Sequence, residues 1–236
     1  MEEPMDIATL VEELKQQGRI TLPGMTDRSK LTVDEQGLAT LLEMAYRRQV
    51  ARRRIAYAPN ALTSGAIKKL AHFLTDSKDN RFMIVLDGST ATGKTTLMQA
   101  MRQTLWWLTE NKLVPDDMDL KICDAVALCN LRDSTRDWYE LMNWPSFLGI
   151  EDLGCEPAEI LRWGNPLYPI REVLTTRYEQ RLPMVVSTNL DSEQMREHLG
   201  LRIVSRMNEM AFYIHFENED FRKRVWFLNH SEMKSE

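Results

Sequence analysis

Residues 88–95 read Gly-Ser-Thr-Ala-Thr-Gly-Lys-Thr and match the pattern G-x-x-x-x-G-K-[ST] at every fixed position. An apolar, partly β-branched run over residues 82–86 precedes the pattern and predicts a buried strand. Apolar residues at helical spacing follow it over residues 96–108 and predict a helix. Glycines permit a tight loop, and a helix begins with unpaired N–H groups that attract anions. The strand, the loop and the helix N-terminus together therefore predict a seat for polyphosphate.

The whole loop and the start of the helix are predicted to bind a nucleoside triphosphate, through Gly88, Ser89, Thr90, Ala91, Thr92, Gly93, Lys94, Thr95 and Thr96. In this pattern the lysine reaches the β- and γ-phosphates, and the hydroxyl that follows it binds Mg²⁺. We expect the loop to be exposed, and Lys94 to contribute charge to the ligand and not packing to the core. The alternative is a turn rich in Gly and Thr ahead of a core helix. The strand before the pattern and the helix after it are the context that a phosphate loop requires.

The composition is that of a soluble globular protein. The chain has 236 residues, of which 43% are hydrophobic and 28% are charged, enough for one α/β domain and a smaller element. No apolar run is long enough to span a bilayer, and the acidic N-terminus is unlike a signal peptide. The three cysteines fit no zinc-binding pattern, so we expect reduced thiols in a cytoplasmic protein, at Cys123, Cys129 and Cys155.

One segment differs in charge from the rest of the chain, which has a net charge of −5. Between residues 44 and 75 there are no acidic residues and seven basic ones, Arg47, Arg48, Arg52, Arg53, Arg54, Lys68 and Lys69. Such a segment fits nucleic acid, an acidic protein partner or a solvated helix face, and these interpretations stay open.

The order of predicted elements indicates an α/β fold. Helices are predicted over residues 5–17, from Thr32 onward where residues 32–35 resemble a capping box, and over 64–74. Strands are predicted at 82–86, 120–124, 147–150, 183–187 and 211–216, with helices at 96–108, 125–142, 169–180 and 193–207. This alternation predicts a mostly parallel five-stranded sheet between helices. We divide the chain into a helical N-terminal region, residues 1–78, and a nucleotide-binding core, residues 79–236.

Polar side chains follow two of the predicted strands. Glu151 and Asp152 end one strand, and Asn189 ends another. Ligands of parallel sheets bind outside the carboxyl ends of the strands, so these side chains and the phosphate loop can share one crevice. Glu151 would hold Mg²⁺ through water, Asp152 would orient the attacking water, and Asn189 would touch the γ-phosphate or that water. Helix-capping acids, and a turn Asn capping the helix near Ser192, are the structural alternatives.

Residues 147–154, 184–190 and 201–207 resemble the AAA+ ATPases of the bacterial helicase-loader group, DnaC and DnaI, and the related IstB-type transposition helpers. The similarity covers roughly residues 82–224. It implies a P-loop NTPase fold of AAA+ type that binds ATP and Mg²⁺. It also implies that the Walker A lysine and hydroxyl, the Walker B pair and the sensor 1 residue are Lys94, Thr95, Glu151, Asp152 and Asn189. Because the chain ends soon after the last strand, we expect no C-terminal lid domain.

By the same resemblance, Arg206 matches the arginine finger that enters the site of a neighbouring subunit. Arg202 lies one helical turn earlier on the same face. Without the resemblance, both would be interpreted as a solvated basic face paired with Glu193 or Glu197. The family usually has Asp-Asp or Asp-Glu where this chain has Glu151-Asp152, and this exchange of side-chain lengths can slow hydrolysis.

The resemblance implies a Mg²⁺-dependent ATPase that loads a replicative helicase, acts on single-stranded DNA and forms a homo-oligomer when ATP is bound. The alternatives are an IstB-like helper of a transposase and a nucleotide-gated scaffold with little hydrolysis. A small-molecule kinase is disfavoured, since such kinases need no arginine from a neighbour. A candidate surface for single-stranded DNA combines cations with rings, at Arg132, Arg136, Trp138 and Tyr139. For those four residues we favour a helix with an aromatic core face.

Overall fold

The computed structural model of the protein describes residues 29–54, 57–58, 60–116, 118–132 and 134–217; the helix predicted over residues 5–17 lies outside these ranges. The elements in chain order are α1 (Glu35–Arg52), α2 (Ala61–Thr75), β1 (Met83–Gly88), α3 (Lys94–Glu110), β2 (Leu120–Asp124), α4 (Ala125–Leu131), α5 (Thr135–Met142), β3 (Phe147–Leu153), β4 (Ile160–Arg162), β5 (Asn165–Leu167), α6 (Pro169–Glu179), β6 (Met184–Thr188), α7 (Ser192–Leu199), α8 (Leu201–Met210) and β7 (Ala211–Phe216).

Five strands form one parallel sheet in the order β2-β3-β6-β1-β7. Side chains alternate across the sheet, so Ile84 and Leu86 of β1 join one hydrophobic cluster while Met83 and Val85 join the other. The first cluster lies under α1, α2 and α3, and the second lies under α4 to α8. The predicted α/β class, with a mostly parallel five-stranded sheet between helices, is confirmed.

The helices α1 and α2 pack in the same hydrophobic cluster as β1 and α3. Helix α1 begins at Glu35, not at the predicted Thr32, because the Asp34 carboxylate caps it by accepting the Gly37 N–H at 2.6 Å. The described part of the predicted N-terminal region therefore lies on the sheet and shares its core. No helix in the described ranges combines the length and the apolar character that crossing a bilayer requires.

Two predicted helices are each divided in the structure. The helix predicted over 125–142 is α4 and α5, and α5 starts after its N-cap residue Ser134. The helix predicted over 193–207 is α7 and α8, because Gly200 between them has φ = 84°, which is outside the helical region. A hairpin of β4 and β5 was not predicted, since three-residue strands are too short to show alternation. Trp163 in its turn is 93% exposed.

Arg177 of α6 joins three segments at the edge of the sheet opposite the carboxyl ends of the strands. Its guanidinium is fully buried and donates to the carbonyl oxygens of Met142, Trp144, Ser146 and Pro183 at 2.6–3.3 Å. Burial lowers the pKa of Arg177 to about 9, so the side chain is still a cation at neutral pH. The end of α5 and the starts of β3 and β6 are thus tied together by one side chain.

Candidate functional site

The phosphate loop connects β1 to α3 and depends on its two glycines. Gly88 has φ = 130°, and a Cβ atom there would lie 2.3 Å from the carbonyl oxygen of Phe216 in β7. Gly93 has φ = 108° and directly precedes Lys94, the first residue of α3. The positive φ therefore favours glycine at both positions, and at Gly88 there is also no space for a Cβ atom.

A hydrogen bond within the phosphate loop stabilises its conformation. Thr92 is buried, and its hydroxyl donates to the carbonyl oxygen of Ser89 at 2.9 Å. Ala91 has a left-handed φ of 61°, while Ser89 and Thr90 are exposed. Thr95 is partly exposed in the first turn of α3, and Thr96, 4% exposed, is buried. Thr95 is therefore the hydroxyl of this pair that a metal ion can reach.

Lys94 is only 5% exposed, although Ser89 and Thr90 of the same loop are exposed. The ammonium folds back over the loop and donates to the carbonyl oxygens of Gly88 at 2.8 Å and Ser89 at 2.7 Å. Its third bond is to Oδ1 of Asn189, at 2.7 Å. Three donors and three acceptors explain why the side chain turns inward. Burial lowers the pKa of Lys94, and the charge of Asp152 opposes that shift.

Asn189 comes to the phosphate loop because β6, which precedes it, lies beside β1 in the sheet. It does not cap the helix that follows. The cap of α7 is Asp191, which accepts the Gln194 N–H at 2.9 Å while the Gln194 side chain accepts the Asp191 N–H. The amide of Asn189 is thus directed at Lys94.

Glu151 and Asp152 lie inside β3, although the predicted strand stops before them. The pairing of β3 with β6 shifts register between Ile150 and Leu153, and Asp152 has φ = 55°. This β-bulge turns the carboxylates differently from a regular strand. Neither residue is the N-cap of a helix in the described ranges.

The two carboxylates have different neighbours. Oε1 of Glu151 accepts from Nε2 of Gln99, on the second turn of α3, at 3.1 Å. Burial raises the pKa of Glu151, and this hydrogen bond opposes that shift. Asp152 interacts with the charge of Lys94, and its N–H donates to the Ser187 hydroxyl at 3.1 Å. Glu151 therefore faces α3, and Asp152 lies on the side of the lysine.

Gln99 was not predicted as a site residue. It lies four residues after Thr95, so the two share a face of α3. That spacing is the sequence signal that could have identified it. The hydroxyl of Thr95 and a carboxylate oxygen of Glu151 are hard oxygen donors, and a Mg²⁺ ion needs few protein ligands because water and phosphate complete its octahedron. These residues thus fit Mg²⁺.

A second group that the sequence did not reveal follows Asp152. The carboxylate of Glu156 is fully buried and accepts the Gly154 N–H at 2.7 Å. Its other oxygen lies 2.7 Å from Nε2 of His198 on α7. Gly154 has φ = 100°, and a Cβ atom there would lie 2.5 Å from Leu190. The turn after β3 is therefore packed and bonded against the segment that follows Asn189.

Arg206 lies on α8 and does not pair with Glu193 or Glu197, the partners that the alternative interpretation gives it. One guanidinium nitrogen is 3.2 Å from Oε1 of Glu179, the group lies over the ring of Tyr178, and the side chain is 17% exposed. No contact joins Arg206 to the phosphate loop of its own chain in the described ranges. Arg202 is exposed and has no side-chain partner in the same ranges.

The candidate surface of cations and rings spans the end of α4 and helix α5, and part of it is committed to the fold. Trp138 is 6% exposed and belongs to the core. Arg132 pairs with Glu172 at 2.9 Å, and Arg136 pairs with a residue of its own helix. Only the Tyr139 ring is freely exposed, at 68%. This arrangement matches the favoured interpretation of a helix with an aromatic core face.

Comparison with known proteins identifies the fold. No family model and no curated protein matches the chain. Among solved structures, the DnaC helicase loader superposes with a TM-score of 0.51 at 22% identity, over 68% of this chain and 93% of that chain. A putative primosome component from Streptococcus pyogenes serotype M3 superposes with a TM-score of 0.51 at 18% identity, over 67% of this chain and 81% of that chain. The chain therefore shares the fold of these two structures, with a parallel five-stranded sheet between helices and a phosphate loop at the end of its first strand.

Proposed function

We propose that this protein is a Mg²⁺-dependent ATPase that acts as a helicase loader. The observation that carries the proposal is the bond between Lys94 and Asn189, which brings the phosphate loop and the end of β6 together at the carboxyl edge of an AAA+ sheet. Glu151 and Asp152 lie near the carboxyl end of β3, which is the neighbour of β6 in that sheet. Side chains that would bind polyphosphate, hold a metal ion and orient water are thus available at one edge of the sheet.

Each residue has a separate role in this proposal. The backbone N–H groups of residues 88–96 and the Lys94 ammonium bind the phosphates of ATP. Thr95 and, through water, Glu151 hold Mg²⁺, which supplies positive charge to the β- and γ-phosphates when bound. Asp152 orients the attacking water, and Asn189 donates from its amide to the γ-phosphate or to that water. Arg206 stabilises the charge that develops in the site of a neighbouring copy.

ATP binding would exchange the partners of Lys94. Its ammonium bonds two loop carbonyls and Asn189, and the phosphates would replace these acceptors. The amide of Asn189 would then be released to serve the γ-phosphate. ATP binding and the release of Asn189 are therefore coupled through the Lys94 side chain. Such coupling fits a switch that nucleotide binding operates.

The partner we propose is a replicative helicase, together with single-stranded DNA, in the cytoplasm and with several copies of this chain assembled when ATP is bound. The likeness to a structure described as a helicase loader supports that choice over a transposase partner. A nucleotide-gated scaffold with little turnover is the second candidate. Its support is the order Glu151-Asp152 together with the left-handed backbone of Asp152.

Two measurements test the proposal. The first is ATP hydrolysis by the purified chain with Mg²⁺, over a range of protein concentrations and with or without single-stranded DNA. We expect slow turnover that rises with protein concentration and with DNA. The second is affinity capture of partners in the presence of ATP, which should retain a replicative helicase. Capture of a transposase would reject the loader function, and tight ATP binding without turnover would favour the scaffold.

A further inference from the structure

Helix α1 ends in a cluster of four arginines, Arg48, Arg52, Arg53 and Arg54, which we name the arginine cluster. All four side chains are exposed. In the part of the chain that the structure describes, none has a hydrogen-bonding, ion-pairing or ring partner, although the charge of Arg53 acts on the phenol of Tyr46. Arg47 beside them differs, because it bonds Glu43 at 2.8 Å and lies over the ring of Tyr57. Among the described residues, the cluster thus consists of exposed cations without an ion-pair partner.

Packing does not explain the arginine cluster. Arg48 and Arg52 lie one helical turn apart on the solvent side of α1, and the buried positions of this helix are Leu38, Leu42, Ala45 and Tyr46. The helix dipole favours a cation in the last turn, which accounts for Arg52. It does not account for Arg53 and Arg54, which lie beyond the helix. Four like charges at this spacing repel one another until an anion neutralises them.

We propose that the arginine cluster binds the phosphodiester backbone of nucleic acid. A guanidinium is a planar fork that matches phosphate, and the rise of one helical turn, about 5.4 Å, allows Arg48 and Arg52 to contact different phosphates of one strand. The cluster itself contains no ring that could stack on a base, so recognition should depend on charge and not on sequence. The chain has a net charge of −5, so its overall charge does not attract nucleic acid and a local basic surface is needed.

This inference rests on the proposed function, because it locates the surface for the DNA on which a loader acts. The inference predicts a specific dependence of the affinity on salt concentration. Each phosphate contact with a single strand adds about 0.7 to the slope of log affinity against log salt. Replacing Arg48 and Arg52 by glutamine should therefore lower that slope by about 1.4, with little effect on the helix because arginine and glutamine have similar helix propensities.

The test measures the anisotropy of a fluorescein-labelled oligo(dT) across a series of KCl concentrations. The variant is Arg48→Gln/Arg52→Gln, and the control is Lys78→Gln/Arg196→Gln, which changes the net charge equally at exposed positions outside α1. We expect the first variant alone to bind more weakly and with a flatter salt dependence. Oligo(U) and duplex DNA of equal length distinguish the kinds of nucleic acid that share this backbone.

A separate measurement keeps the two proposals distinguishable. Binding of a fluorescent ATP analogue should be the same in the wild type and in Arg48→Gln/Arg52→Gln, which also shows that the variant is folded. If ATP binding fails in the wild type while the salt slope still depends on the cluster, the ATPase proposal fails and this inference stands. Equal slopes in wild type and variant overturn the inference, as does loss of an acidic protein partner in the variant without any change in DNA binding.

Discussion

The ammonium of Lys94 lies 2.7 Å from the side-chain oxygen of Asn189, although the two residues are 95 positions apart in the chain. The pair exists because β1 and β6 are neighbours and both end at the same edge of the sheet. It joins a residue that we propose for phosphate binding to one that we propose for sensing the γ-phosphate. The following predictions test the parts of this arrangement.

Replacing Lys94 by alanine should weaken ATP binding by about 10- to 100-fold, the value of a hydrogen bond to a charged group. The fold should survive, since the ammonium bonds only the loop and Asn189. Titration with a fluorescent ATP analogue measures the loss, and Lys78→Ala, at an exposed position, is the control. Unchanged affinity in Lys94→Ala would remove the basis for the site.

Asp152→Asn should retain ATP and Mg²⁺ but lose turnover, because it keeps the shape of the side chain and removes the charge that orients water. Glu151→Gln should instead weaken binding that depends on Mg²⁺. Measurement of both binding and hydrolysis separates the two effects. If Glu151→Gln abolishes turnover and leaves binding intact, the two roles are exchanged.

Gln99→Met should make the metal site sensitive to acid. Burial already raises the pKa of Glu151, and loss of the Gln99 donor raises that pKa further. A protonated Glu151 cannot hold Mg²⁺, so the pH at which Mg²⁺-dependent binding of an ATP analogue is lost should move upward. A titration between about pH 5 and 8 tests this, with Gln103→Met on the next turn of α3 as the matched control. Identical pH profiles for the two variants would show that Gln99 does not position Glu151.

Arg206→Ala should bind ATP normally and hydrolyse it about a thousandfold more slowly, as expected for a cation supplied by a neighbour. Mixing it with Lys94→Ala should restore part of the activity, because the Lys94 variant lacks the phosphate-binding lysine but still carries Arg206. Within one chain Arg206 pairs with Glu179, so Glu179→Gln should make assembly easier and lower the protein concentration at which hydrolysis begins.

The exposed Arg202 is the alternative candidate for the arginine that acts in the site of a neighbouring copy. Rescue of Arg202→Ala and not of Arg206→Ala in the same mixing experiment would give Arg202 the role in trans. Turnover per subunit that is independent of concentration, with no rescue in either mixture, would count against an assembly of this type.

Arg177→Met should lower the free energy of unfolding by about 2–4 kcal/mol, since it leaves four buried carbonyl groups without their charged donor. Arg132→Met breaks a half-exposed pair with Glu172 and should cost less than about 1 kcal/mol. Urea unfolding compares the two variants. Equal losses would show that the four bonds of Arg177 add nothing beyond an ordinary surface pair.

The sequence predicts the parts of this structure that depend on local pattern. The bounds of β2 and β7 agree with the prediction, and so does the start of α6 at Pro169, because apolar spacing and a proline at N1 act within a few residues. The sequence also predicts that the phosphate loop and Asn189 can share a crevice, and the structure brings them together. This feature is predictable because the carboxyl ends of parallel strands meet at the same edge of the sheet, whatever side chains the strands carry.

Other features depend on partners that are distant in the chain. The burial of Lys94 requires an acceptor from another strand, and the four bonds of Arg177 require carbonyls from three segments. The break at Gly200 is local but ambiguous, because a glycine within a helical pattern is often tolerated. The bulge at Asp152 follows from how β3 pairs with β6, which no spacing of residues reveals.

The buried contact between Glu156 and His198 also determines how this fold can deform. The turn that leaves Asp152 is anchored to α7 through that contact and is closed at its own start by the Gly154 N–H. Because Gly200 separates α7 from α8, a displacement at the end of β3 reaches α7 directly and reaches the helix that carries Arg206 only through that glycine. The end of β3 and α7 should therefore move together, while Gly200 is the hinge at which α8 can change its angle to them.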